Sequence, residues 1–201
     1  MPPIQLHTPD EIRTAAAALA NALTLNTRYT VVGGGACAVL GSDRMTEDID
    51  FVVLRGQTPA ARQLLRSSPV FNVEARTNHT TYKVGDSPHR VITIGNIKVL
   101  KPALILNSKC RSIQGRHNIA KRGTDFQDIA FLLTYCAQNP QFLPRASEVP
   151  NATKEFVQSV ISTFQMGELW TNAGYDLDAA FGSDGENRGQ REEITAMKRS
   201  L

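Results

Sequence analysis

The stretch from Arg28 to Leu54 constrains the fold more than any other part of the chain. A β-rich run, Arg28-Tyr-Thr-Val-Val, ends in three glycines at 33–35. Ala36 to Leu40 offers a short helix that Gly41 stops. The apolar run Asp50-Phe-Val-Val-Leu54 then reads as a second strand, with Asp48 just ahead of it. Gly33, Gly35 and Ala38 also fit the dinucleotide fingerprint GxGxxG/A. That fingerprint requires a full crossover helix and an acid at the end of the following strand. Here only about two helical turns fit before Gly41, and the acids at 48 and 50 stand at the strand's start. A doubly wound dinucleotide domain is disfavoured, and the lack of GKS or GKT excludes a Walker A loop.

Side chains alternate across a strand, so Asp48 and Asp50 share one face while Ile49 and Phe51 turn to the core. Taken alone, such a pair also fits a solvated turn. Joined to the glycines, it fits divalent metal chemistry. Hard oxygen ligands suit Mg²⁺, which keeps waters and takes further ligands from substrate phosphates. Two such ions about 3.5–4 Å apart activate an attacking hydroxyl and stabilise a leaving pyrophosphate. Gly33 and Gly34 let backbone amides approach a triphosphate at a helix start, and Arg44 adds a planar, permanently charged contact.

The remaining pattern alternates helix and strand. Thr8, Pro9, Asp10 and Glu11 open a helix whose stripe is Ile12, Ala15, Ala16, Leu19, Ala22 and Leu23. Thr58-Pro59 opens another, to about Arg66. Strands are expected over 70–75, 80–84 and 91–94, and Pro102 starts a helix to about Arg116. Thr124 with Gln127 forms a capping box for a helix carrying Ile129, Leu132, Leu133 and Cys136. After a 140–150 loop, Phe156, Val160, Phe164 and Leu169 predict one last helix, with Phe156, Phe164 and Trp170 in the core. The expected architecture is α/β (α+β): a small mixed sheet flanked by helices, with a helical C-terminal part.

Charge is segregated along the chain. The net is only +3, from 22 basic and 19 acidic side chains, yet residues 87–124 hold eight basic side chains and no acid. Elsewhere 14 basic and 19 acidic side chains leave −5. A basic surface set against acids suits phosphate-bearing ligands; the alternative is simply a solvated basic helix face. RNA is one candidate partner, although no aromatic side chains interleave with that stretch. Cys37, Cys110 and Cys136 have no CxxC spacing, which points to a cytoplasmic, reducing setting, with Cys110 and Cys136 as small core residues. No run approaches the roughly 18 apolar residues of a membrane span, and Met1 to Arg13 has no signal-peptide pattern.

At these residues the sequence resembles the nucleotidyltransferase superfamily, with its polymerase β-like fold. The family's pattern is a hydrophobic residue, Gly-Gly or Gly-Ser, a short helix, and an acid-x-acid pair on a strand. Val32, Gly33, Gly34, Asp48 and Asp50 match it. Arg44-x-Thr46-x-Asp48 is similar to the minimal nucleotidyltransferases and the AbiE-type transferase toxins. Lys109, Arg116 and Asp125-Phe-Gln-Asp128 look like those families' later helices. The resemblance implies Mg²⁺- or Mn²⁺-dependent transfer of a nucleoside monophosphate from a nucleoside triphosphate (ATP-binding is the common case) to a hydroxyl of a small molecule, protein or RNA. It implies metal at Asp48 and Asp50, and nucleotide at Gly33, Gly34, Arg44, Thr46 and Lys109. It also implies domain limits of 1–138 for the transferase-like part, 139–181 for a helical extension packed on it, and 182–201 for a flexible tail. One departure matters. The family's third acid belongs on a later strand, and His89–Ile94 carries none; Glu74 and Asp86 are the nearest substitutes. The alternative it implies is a catalytically impaired relative that binds nucleotide or protein.

Overall fold

A capping box starts the first helix in the computed structural model, which describes residues 5–23, 27–74, 80–82 and 97–180. The Thr8 hydroxyl accepts from the Glu11 amide (3.3 Å), and a Glu11 carboxylate oxygen accepts from the Thr8 amide (2.8 Å). The described residues divide into two compact units, one up to Val99 and one from Leu100.

In the first unit, α1 (Pro9–Leu23) buries Ile12, Ala16, Leu19, Ala20 and Leu23, packing on α2 (Gly33–Leu40) and α3 (Thr58–Ser67). The expected stripe is therefore present, shifted by Ala20. Strand β1 (Tyr29–Val32) pairs antiparallel with β2 (Asp50–Val53), in a register that sets Val32 opposite Asp50. On its other side β1 meets residues 98–99: Val31 donates its amide to the Lys98 carbonyl (2.8 Å) and bridges Val99 in parallel. The sheet around β1 is thus mixed. Antiparallel pairing across an eight-residue helix is not the parallel βαβ crossover of a dinucleotide domain, so the fingerprint at 33–38 is ruled out. Strands β3 (Phe71–Val73) and β4 (Thr80–Tyr82) form a second antiparallel pair, closed by Phe71 against Tyr82 at 5.6 Å. The strand expected over 91–94 lies outside the described residues.

The second unit is helical. α4 (Pro102–Gly115) and α5 (Ile119–Gln138) form a hairpin, followed by two 3₁₀ turns, α6 (Lys154–Phe164) and α7 (Gly167–Asn172). Its core holds Ile105, Leu106, Ile129, Leu132 and Leu133, each at most 1% exposed, and each such side chain contributes about 2 kcal/mol of apolar burial. Two expectations need correction. α5 starts at Ile119, not Thr124, because the Asn118 side chain caps it first by accepting from the Lys121 amide (3.1 Å). Thr124 then lies inside the helix, its hydroxyl turned back to the Lys121 carbonyl. The single last helix is two, broken at Gln165, which takes a left-handed φ of 54°. Phe164, at that break, is 46% exposed and stacks on Phe126, so it is not core, while Phe156 is half-buried. Trp170 and the three cysteines are buried, with no disulfide. No helix among the described residues is long and apolar enough to cross a membrane.

Charge is also buried here. Lys109 places its ammonium 3.0 Å from Asp125 and 2.7 Å from Asp128, and Arg116 Nε lies 2.6 Å from the other Asp125 oxygen. Asp125 and Asp128 are essentially inaccessible to water. Burial pulls the Lys109 pKa down and the two carboxylates push it up more strongly, so its net shift is upward.

Two stability predictions follow from these contacts. Lys109→Met leaves two buried carboxylates short of a cation and is expected to lower unfolding free energy by about 3–5 kcal/mol in urea titrations; a loss below about 1 kcal/mol contradicts the clamp. Burial also raises the thiol pKa of Cys110, and that of Cys136 to about 11. An acid with a raised folded pKa holds more protons in the native state, so its contribution is complete below the unfolded value and declines above it. The urea midpoint should stay flat to about pH 8.5 and fall beyond it. Cys136→Ala should flatten the limb between about 8.5 and about 11, and an unchanged limb refutes the assignment.

Candidate active site

The site grows out of the first turn of α2. β1 ends at Val32 in extended conformation, and Gly33 takes φ +67°, a left-handed value that turns the chain directly into the helix. Three consecutive residues without Cβ then form a bare floor. A Cβ on Gly33 would stand 2.9 Å from Asp50 Oδ2. One on Gly34 would stand 2.6 Å from Arg44 Nη2 and 2.8 Å from Thr46 Oγ1. One on Gly35 would stand 3.2 Å from Ile49 Cα and 3.5 Å from the Asp48 carbonyl oxygen. Side-chain ends of Asp50, Arg44 and Thr46 thus crowd Gly33 and Gly34, and the backbone of 48–49 passes close over Gly35.

Local hydrogen bonds hold that segment in place. Gly41 ends α2 with φ +115°, and the Ser42 amide donates back to the Cys37 carbonyl (2.9 Å). Arg44 Nη1 donates to the Met45 carbonyl (2.7 Å), and the Arg44 amide to the Ser42 hydroxyl (3.3 Å). Thr46 is buried, and its backbone exchanges two hydrogen bonds with His7, at 2.8 and 3.2 Å. The residues ahead of α1 thus clamp the loop that carries Arg44 and Thr46. His7 went unnoticed in the sequence because a two-residue bridge across 39 positions has no local signature.

Five of the seven expected site residues, Gly33, Gly34, Arg44, Thr46 and Asp50, are brought together in this way. Asp48 sits beside them, ahead of β2 rather than within it, with its carbonyl over Gly35. The side chains of Asp48 and Asp50 are exposed. Lys109 belongs to the second unit, where its charge is committed to Asp125 and Asp128. Glu74 is exposed at the end of β3, while Asp86 and 89–94 lie outside the described residues. Among the described residues no group of three His, Cys, Asp or Glu side chains is placed to hold a metal ion. The donor set fits an ion that needs only two protein carboxylates and draws its other ligands from water and phosphate, which is the habit of Mg²⁺.

No protein-family model matches the sequence, and no curated protein matches it. Among solved structures, the chain is similar to the crystal structure of an antigenic nucleotidyltransferase-like protein from Paracoccidioides brasiliensis. The two are 22% identical and superpose with a TM-score of 0.62 over 89% of this chain and 97% of that one. At that identity the likeness establishes the architecture: a mixed α/β, mostly helical chain with the fold of a nucleotidyltransferase-like protein.

Proposed function

We propose that the protein is a metal-dependent nucleotidyltransferase that moves a nucleoside monophosphate from a nucleoside triphosphate to a hydroxyl acceptor on a small molecule, a protein or RNA. The observation that carries this reading is the seating of Asp50 and the Arg44–Thr46 segment on the glycine floor of α2. Asp48 and Asp50 would hold Mg²⁺ or Mn²⁺, which supplies charge neutralisation for the triphosphate. The amides at the start of α2 face the phosphates, favoured by the positive end of the helix. Arg44 contributes a fixed charge and planar donors, and Thr46 a hydroxyl, on the same floor. Overall, the acceptor oxygen bonds to the α-phosphorus as the bond to the β-phosphate oxygen breaks. Pyrophosphate leaves, and the hydroxyl proton is released. The three buried free thiols support a reducing, cytoplasmic setting.

A second reading is a relative that binds nucleotide without turnover. The carboxylates of Asp125 and Asp128 are spent on Lys109, and the 89–94 stretch has no acid. Labelled nucleoside triphosphates with Mg²⁺ or Mn²⁺ decide between the two. Transfer of label that falls roughly a hundredfold or more in Asp48→Asn and Asp50→Asn supports the enzyme. Mg²⁺-insensitive binding by calorimetry, without transfer, supports the binder.

The floor itself is testable. Gly33→Ala forces a left-handed alanine and pushes a methyl onto Asp50. It should cost about 1–2 kcal/mol of stability and reduce nucleotide binding in calorimetry, whereas Gly56→Ala, also at positive φ but with open space around it, should cost similar stability and leave binding unchanged. Equal effects of the two on nucleotide binding would dismiss the floor.

A further inference from the structure

The helical unit contains a cleft of about 610 Å³ that the reading above does not use. Its two walls are short and held by local bonds. On one side, Pro140 begins the 3₁₀ turn Pro140–Phe142, Pro144 fixes the backbone after it, and the Arg145 carbonyl accepts from the Glu148 amide (2.9 Å). On the other, Gly174 turns the chain at φ +64°, and Asp176 Oδ1 accepts from the amides of Asp178 (3.0 Å) and Ala179 (3.1 Å). Leu143 bridges the walls, its methyl carbons 3.7 Å from where a Cβ on Gly174 would stand. Such walls need little reorganisation to receive a ligand.

The charges around the cleft are unequal in availability. Lys101 lines it but is bound at 2.5 Å to Glu148. Asp176 has one oxygen occupied by backbone amides. Arg145 is exposed and makes no ion pair among the described residues. Beside it lie the Ser147 hydroxyl and the apolar surface of Leu143, 38% exposed, with exposed Pro140 and Ala179. The volume falls within the range of small-molecule sites, which combine an apolar lining with a few fixed polar groups.

We propose that this cleft is a second ligand site, binding a small molecule with one anionic group on the Arg145 guanidinium and an apolar body against Leu143 and Pro140. A planar guanidinium offers paired donors to a carboxylate or sulfonate. The cancelled charge of Lys101 and the carboxylate of Asp176 disfavour polyanions, so a nucleoside triphosphate is a poor occupant. The site is independent of Asp48 and Asp50.

The test uses 1-anilinonaphthalene-8-sulfonate as the anionic probe and N-phenyl-1-naphthylamine, the same body without the sulfonate, as its neutral control. The full chain should take up the sulfonate saturably, and Arg145→Gln and Leu143→Asp should each weaken it by about tenfold or more. The neutral compound should bind at least about tenfold less tightly. The thermal melt of Arg145→Gln should match wild type, because that side chain is exposed, whereas Leu143→Asp, which also loses the contact at Gly174, should melt lower. Sulfonate affinity within about twofold of wild type in Arg145→Gln, or equal affinity for the neutral compound, overturns the proposal. If a variant unfolds, the wild-type amide spectrum decides: shifts confined to Arg145, Ser147 and Ala179 uphold the site, and their absence refutes it.

Discussion

Everything near the candidate active site depends on three missing side chains. Backbone and side-chain atoms of residues 44–50 stand 2.6–3.5 Å from where Cβ atoms on Gly33, Gly34 and Gly35 would be. At Gly33 and Gly34 an added methyl would displace side-chain ends, and at Gly35 it would press on backbone. The glycines give up helix stability, by roughly 1 kcal/mol each relative to alanine, and gain proximity between an acid pair, an arginine and a helix start. Stability is recovered outside the motif. Gly41 caps the helix, and His7 pairs with Thr46. The fold therefore supports the loop from two directions without placing a side chain on the floor.

Much of this was legible because the signals are local. A β-branched run, glycines, a short helix and an apolar strand occupy 26 consecutive residues, 29–54, and each element is fixed by neighbours within a few positions. The antiparallel sense of β1 and β2 fits the short helix between them, since a parallel crossover needs more chain. Legibility failed where two local signals competed. Asn118 and Thr124 are both good caps, and the earlier one wins because α5 tolerates Gly123 in its interior, where it meets only open space. At Gln165 no glycine or proline announces the break. Thr153 starts α6 and the left-handed Gln165 ends it, so Phe164 stands at a helix terminus instead of continuing the apolar stripe.

The basic stretch teaches a different lesson about reading charge. Counted along the chain, residues 87–124 look uncompensated. In the hairpin, the acids just past that window fold back onto it: Asp125 meets Lys109 and Arg116, and Asp128 meets Lys109. Helical hairpins bring residues 16 to 19 positions apart into contact, so a charge window shorter than the hairpin misjudges the field. At least three of the eight basic side chains are spent on internal pairing, since Lys101 also meets Glu148. The surface left by the others is less basic than the count implies.

The two Asp pairs of this chain illustrate what burial does to a carboxylate. Asp125 and Asp128 are at most 1% exposed, and cations of the same hairpin sit against them, which offsets the cost of burying charge. Their chemistry is complete within the chain. Asp48 and Asp50 stand at the surface, where a carboxylate keeps its hydration and exchanges water for an incoming cation at little cost. Two neighbouring acids thus form a structural clamp in one unit and an exposed pair in the other. Spacing does not separate the two outcomes. Solvent access does: the apolar hairpin encloses Asp125 and Asp128, while Asp48 and Asp50 are exposed.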